Sequence, residues 1–307
     1  MRELNLTRVW FHVTIYTEVE RMHPVKLIAD SSCDIGPQLA ERYDVDFVHI
    51  HVRLNGNEYL DGIDITHVEI YNNYDKNHTL PSTAAMNIDE YAAIFRPYIE
   101  KGYDIVHVSL GSGLSSTCNN ARLAGELFDE GRVFVIDSKS LSTGSGHIVC
   151  ECGERILKGM SAKQVYDEVQ PIADRVSASF ILDDLEYLHA GGRCSGLAQF
   201  GASLMNLKPC IMVRPELFGS MTVGKKYMGS YKRSALKYVD DMIKDRTDIV
   251  LDRCFITHSG SDPEVLEAMR VRALELQPFK EVFITQASAT ICSHCGPNTT
   301  GILFIQK

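Results

Sequence analysis

The apolar run Ile105-Val-His-Val-Ser-Leu110 stops at Gly111-Ser112-Gly113, and a small-residue pattern with apolar positions at Ala121, Ala124, Leu127 and Phe128 follows. The run reads as a buried strand and the spacing after it as a helix. A strand that enters a helix through glycine and hydroxyl residues commits its surroundings to an α/β arrangement. It also builds an anion site, because backbone N–H groups and hydroxyls converge where the helix dipole favours negative charge.

The same unit recurs along the chain. Val25-Lys-Leu-Ile-Ala29 reads as a strand ended by Asp30-Ser31-Ser32, with a helix over Pro37 to Tyr43 and a strand over Val45 to Ile50. Asn55-Gly56 is a hairpin turn signal. Leu80 to Met86 reads as a loop, and Asn87 with Glu90 three residues on forms a capping box for a helix carrying Tyr91, Ile94, Phe95 and Tyr98. Arg132 to Asp137 is another buried strand, ending at Ser138-Lys-Ser. This alternation predicts a largely parallel sheet with helices on both faces. Ligands in such sheets sit at the carboxyl ends of the strands, where three hydroxyl-rich loops are expected to gather.

Ser161 and Gln164 cap a further helix whose apolar positions Val165, Val169, Ile172, Ala173 and Val176 keep helical spacing. Beyond about residue 178 the pattern changes. A short helix (Leu182 to Leu188) ends at Gly191-Gly192-Arg193, and short strands follow at Cys210 to Val213 and Met221 to Val223. A helix near 231–244, a strand over Cys254 to His258, a helix over 262–276 and strands over 281–285 and 301–305 complete the chain. We therefore expect an N-terminal extension (1–24), an α/β domain (25–175) and a C-terminal α+β domain (176–307).

Bulk properties remove several functions. A net charge of −9 argues against non-specific nucleic-acid binding, which needs a basic face. No apolar run reaches the ~18 residues of a membrane span, and Trp10 to Ile15 is too short and too polar for a signal-peptide core. Nine cysteines without scaffold spacing fit a reducing cytoplasm. Gly219 to Lys225 has the glycine spacing of a phosphate loop, but Lys226 stands where the magnesium-binding hydroxyl belongs. Gly111-Ser112-Gly113 is two-thirds of a dinucleotide fingerprint, with Ser116 in the third glycine position. Cys292-Ser-His294-Cys295 lacks a second ligand pair beyond Cys150 and Cys152, so buried structural thiols are expected there and no metal or cofactor.

Taken together, these segments resemble the DegV family of fatty-acid-binding proteins from Val25 onward. Val25 to Asp34 is similar to the family's opening strand and Asp-Ser turn, and Tyr59-Leu-Asp61-Gly62-Ile-Asp64 to its next signature. Pro81-Ser82-Thr83-Ala84-Ala85-Met86 occupies the place of a Thr-Ser-Gln-Pro-Ser loop, of which the threonine is retained. Ser112-Gly113-Leu114-Ser115-Ser116-Thr117 resembles a Ser-Gly-Leu-Ser-Gly-Thr motif with Ser116 replacing glycine. Asp137-Ser138, Leu185 to Arg193, Lys208-Pro209, His258 with Asp262-Pro263-Glu264, and His294-Cys-Gly296-Pro297 follow in order.

The resemblance implies a parallel-sheet α/β domain followed by a domain with a split antiparallel sheet. It also implies one long-chain fatty acid in a buried tunnel. Its carboxylate would be held by Thr83 and Ser115, supported by the loop residues Ser112, Gly113 and Ser116. Arg193, His258 and His294 would lie near the head group or a partner. The implied role is non-catalytic: a cytoplasmic subunit that presents the bound acid to a fatty acid kinase, with transient contact at a membrane surface. Two other readings stand beside it. One is an enzyme acting on a phosphorylated or carboxylated metabolite, with His107 or His147 as base, although His107 alternates into a core strand. The other is a lipid-sensing regulator.

Overall fold

The computed structural model describes residues 23–195 and 207–307, so nearly all of the expected N-terminal extension lies outside the described residues. The first part of the chain runs β1 (Val25–Asp30), α1 (Gly36–Arg42), β2 (Val45–Val48), β3 (His51–Leu54), β4 (Asn57–Leu60), α2 (His67–Asn77), β5 (Ser82–Ala84) and α3 (Ile88–Glu100). It continues through β6 (Asp104–Ser109), α4 (Thr117–Gly125), β7 (Val133–Asp137), α5 (Thr143–Leu157) and α6 (Ala162–Val169). The rest runs β8 (Val176–Ile181), α7 (Glu186–Gly191), β9 (Cys194–Ser195), β10 (Leu207–Arg214), β11 (Ser220–Met228) and α8 (Tyr231–Ile243). It closes with β12 (Ile249–His258), α9 (Pro263–Leu276), β13 (Glu281–Gln286), α10 (Ala289–Cys295) and β14 (Thr300–Gln306).

Strands β2-β1-β6-β7 form an all-parallel sheet. Successive side chains on its strands enter different cores, as a sheet covered on both faces requires. Leu27, Ala29, Val106 and Val108 pack toward α1, α5 and α6. Ile28 and Ile105 pack toward α3 and α4, with Tyr91, Phe95 and Ala121. His107 falls on that second side, fully buried against the rings of Tyr91 and Phe95. The capping boxes at Asn87/Glu90 and Ser161/Gln164 are both formed.

The larger sheet has the order β13-β12-β14-β8-β10-β11-β9. Its central pairs are antiparallel, while β12/β13 and β9/β11 are parallel. Helices α8 and α9 cover one face. The other face shares a core with α5, so Ala178, Phe180, Phe255 and Leu303 pack with Ile148 and Val149. Helix α5 thus lies between the two sheets. At Gly146 an added Cβ would come 2.6 Å from the Cys33 carbonyl oxygen, so no larger residue fits that approach without displacing backbone.

Three expectations are corrected. Residues 80–86 are not wholly a loop: β5 adds to β3, with Thr83 opposite Val52. The run is short and small-residued, so it carries no period of its own and pairs because β3 offers an edge. Val176 does not continue a helix. The helix ends at Val169, Pro171 lies in a 3-10 turn over Gln170–Arg175, and Val176 begins β8. The helix expected from Leu182 starts instead at Glu186. β8 was hidden because Ser177, Ala178 and Ser179 mask its alternation, although it lies in the interior of the larger sheet.

Candidate functional site

Between the parallel sheet's strand ends and the larger sheet lies a cavity with an open mouth and a mostly apolar lining. Leu110, Leu114, Leu141, Phe180, Val213, Met221 and Leu303 make its apolar wall. Of the residues singled out in the sequence, Thr83, Ser115, Arg193, His258 and His294 line it. Ser112, Gly113 and Ser116 do not.

Thr83 and His294 are joined directly, Oγ1 to Nε2 at 2.8 Å. β5 fixes the threonine by its pairing with β3, and α10 supplies the histidine. Burial, and then the charge of Arg193, hold the His294 imidazole down at about 4, so the ring is neutral at physiological pH. With its single proton assigned to Nε2, the ring donates to Thr83 and leaves the threonine hydroxyl proton free to donate into the cavity. Nδ1 has no hydrogen-bond partner among the described residues. It faces the Cα of Gly191, where an added Cβ would lie 2.5 Å away. Arg193, exposed, donates to the Gly191 carbonyl at 2.5 Å and so closes the end of α7.

The N-terminus of α10 is held by carboxylates from the other sheet layers. Asp34 accepts from the Ser288 N–H at 2.9 Å, and Asp61 accepts from the Ala289 N–H at 2.8 Å. Both bonds lie at the positive end of a helix dipole. Asp34 also accepts from Ser142 Oγ at 2.6 Å, and Asp61 from Ser31 Oγ at 2.7 Å. Ser142 lines the cavity with φ 52 and ψ −143, a conformation that favours glycine and that the Asp34 bond retains. The Asp-Ser turn and the Asp61 signature therefore act on the helix bearing His294.

The Gly111–Thr117 loop divides its labour. Ser115 Oγ lies 2.6 Å from Thr117 Oγ1 and accepts from the Thr117 N–H at 3.3 Å. Ser112 donates to Asp137 through N–H and Oγ, at 3.1 and 2.5 Å. Gly113 N–H donates to the Phe218 carbonyl at 2.8 Å, in the β10–β11 turn. A Cβ at Gly113 would meet the Leu217 carbonyl oxygen at 2.6 Å. This glycine thus permits contact between the two sheet layers. Ser116 is exposed and precedes α4 without a side-chain cap bond.

Sequence reasoning placed Gly191 at a helix end without its approach to His294, and did not single out Thr290, another cavity-lining residue. Thr290, Ile291, His294 and Cys295 recur at the i, i+1, i+4, i+5 spacing of one helical face, and all four line the cavity. The Cys292/His294/Cys295 group is otherwise engaged: His294 bonds Thr83, and Cys292 Sγ donates to the Ala287 carbonyl at 3.4 Å. Among the described residues no group of His, Cys, Asp and Glu is arranged to hold a metal, and no helix is long and apolar enough to cross a membrane.

Burial pushes the Asp34 carboxyl from 3.8 up to about 7, against its bonds from Ser142 and Ser288. Between those values the folded chain holds a proton that the unfolded chain has lost. This group's contribution to stability therefore falls as pH rises through that window, by up to about 1.4 kcal/mol per unit. His294 acts oppositely: its folded value lies below the unfolded one, so stability is lost as pH falls from 6.5 toward about 4. Asp34→Asn is expected to make stability rise more, or fall less, between about pH 5 and about pH 7 than it does in the wild type. Denaturant midpoints at the two pH values measure this, and an unchanged pH dependence contradicts it.

The model of "Uncharacterised protein, DegV family" matches residues 24–307. The chain belongs to the DegV family. A DegV domain-containing protein of Clostridium acetobutylicum is 25% identical over 287 residues, covering 93% of this chain and 100% of that one. A DegV family structure from Thermus thermophilus, described for fatty acid binding, matches with TM-score 0.81 at 28% identity, covering 92% of this chain and 100% of that one. A DegV family protein from Ruminococcus gnavus, solved with vaccenic acid, shares the fold with TM-score 0.81 at 20% identity over 92% of this chain and 99% of its own. The parallel sheet followed by a mostly antiparallel one is the DegV architecture.

Proposed function

We propose that this chain binds one long-chain fatty acid, tail in the cavity and carboxylate at Thr83 and Ser115. The observation that carries this is an apolar cavity whose wall holds the Thr83 hydroxyl, bonded to a neutral histidine, beside Ser115 and Arg193. A buried carboxylate without hydrogen bonds costs several kcal/mol. The Thr83 and Ser115 hydroxyls, with Arg193 on the same wall, would offset that cost. The tail supplies affinity, at ~0.8 kcal/mol per buried CH₂. Fatty acid binding described for the Thermus thermophilus protein and vaccenic acid in the Ruminococcus gnavus structure support a fatty acid as the ligand class.

The chain then presents the carboxylate to a partner fatty acid kinase in the cytoplasm. The kinase transfers the terminal phosphoryl group of its nucleotide to a carboxylate oxygen, giving an acyl phosphate that stays bound. Exposed Arg193 and Gly113, with half-buried His258, belong to the partner-facing rim. Ser112 and Ser116 hold the loop. In this reading residues 25–175 bring the carboxylate-binding loops and 176–307 the rest of the wall, without a catalytic group. A metabolite enzyme using His107 or His147 as its base would need that histidine at the cavity. His107 Nε2 instead lies in the core 3.3 Å from Asp30, and His147 is buried against the Leu303 carbonyl at 3.1 Å.

Mass spectrometry of an organic extract of the purified protein tests the ligand. A fatty acid at about one per chain is expected, and a clean extract with no uptake of added acid overturns the reading. For the site, Thr83→Ala combined with Ser115→Ala is expected to weaken acid retention at least about tenfold, the loss of two charge-assisted bonds. Retention equal to wild type rejects these two residues.

A further inference from the structure

The hydroxyls on the cavity wall are nearly all committed to protein partners. Ser142 donates to Asp34, Ser179 pairs with Tyr238 at 2.8 Å, and Thr257 pairs with Thr143 and Thr285 at 2.5 and 2.9 Å. Ser259 and Thr299 donate to the carbonyls of Gly296 and Cys295. Thr290 differs. Its side chain is 4% exposed, it lines the cavity, and its Oγ1 has no hydrogen-bond partner among the described residues. Leaving a buried hydroxyl unpaired is unfavourable, whereas a valine of similar shape would carry no such cost. The unpaired Thr290 hydroxyl on the cavity wall points to a ligand oxygen.

The position of that oxygen follows from the helix. Thr290 and His294 are four residues apart on α10 and so are stacked neighbours, with Cβ atoms about 5–6 Å apart. His294 bonds Thr83, the proposed carboxylate donor. A group that reaches Thr290 from a carboxylate at Thr83 therefore lies within a few carbons of the acid's carboxyl end.

We propose that Thr290 is a specificity residue for fatty acids bearing an oxygen substituent, a hydroxyl or keto group, close to the carboxylate. This rests on the fatty acid reading above. A site built to pair a ligand oxygen discriminates against the analogue lacking it, because the protein group is then left without a partner.

The test compares hexadecanoic and 3-hydroxyhexadecanoic acids on the delipidated full-length protein, with Thr290→Val, Thr290→Ala and Thr290→Ser alongside. The wild type is expected to prefer the hydroxy acid about three- to tenfold relative to the valine and alanine variants, the span of one net hydrogen bond. Thr290→Ser should keep the preference. Equal ratios in wild type and Thr290→Val overturn the inference while leaving fatty acid binding intact. Failure of the wild type to bind either acid overturns both. If the variants do not fold, the wild type decides alone, and tighter binding of the unsubstituted acid refutes the role.

Discussion

Asp30→Ala is expected to lower stability by about 3–5 kcal/mol, the range for removing one partner from a buried, charge-assisted network. Asp30 is 1% exposed at the end of β1 and accepts from Tyr91 Oη at 2.8 Å, Ser109 Oγ at 2.9 Å and the Leu110 N–H at 2.8 Å. Alanine leaves all three donors buried and unpaired. They belong to α3, to β6 and to the residue that opens the Gly111 loop, so the loss loosens the parallel sheet where it meets the cavity. Denaturant melts measure the effect. A loss below about 1 kcal/mol, the net worth of one ordinary hydrogen bond, contradicts it. Asp30→Asn, which keeps one acceptor, should fall between alanine and wild type.

Gly191→Ala is expected to cut acid retention at least about tenfold while the chain stays folded. Alanine is a better helix former than glycine, so α7 gains locally. The new methyl carbon, however, would sit 2.5 Å from Nδ1 of the half-buried His294, so the ring must shift. Displacing the ring breaks its 2.8 Å bond to Thr83 and so removes the orientation of the proposed carboxylate donor. A double-mutant cycle separates this from general damage. Adding His294→Ala to Gly191→Ala should cost little further binding, because both act through the same bond. Additive losses, or retention unchanged in Gly191→Ala, refute the mechanism.

Much of the fold was legible because local signals agreed with one another. β1, β6 and β7 are continuous apolar runs, as strands buried on both faces must be, and their polar ends were visible as Asp30, Gly111 and Asp137. α3 and α6 announced themselves through their capping boxes, whereas α2, despite its Thr66/Glu69 box, and the uncapped α5 went unread. What failed was structure set by distant partners. Ser82–Ala84 is a strand because β3 is beside it, and Val176–Ile181 is a strand because β10 and β14 flank it.

The site divides in the same way. The loops after β6 and β7 line the cavity, where the rule for open α/β sheets puts a ligand. Their chemistry was read less well. Ser112 and Asp137 bond each other, and Gly113 meets the β10–β11 turn. Asp34 and Asp61 hold a helix more than two hundred residues away in sequence. Gly191 was read only as a helix end and Thr290 not at all, because one acts through a missing side chain and the other through a missing partner, and neither absence has a sequence pattern.

The cavity wall includes Ala178, Phe180, Leu188, Val213, Met221 and Leu303, and these same residues belong to the core through which α5 joins the two sheets. A tail in that space would be an interior component that the chain itself does not encode. A ligand bound by the folded chain alone adds RT ln(1 + [L]/Kd), about 2.7 kcal/mol at a hundredfold excess over Kd. The melting temperature would then serve as a gauge of lipid supply. In a cell the lifetime of the chain would then follow the pool of the acid that fills the cavity.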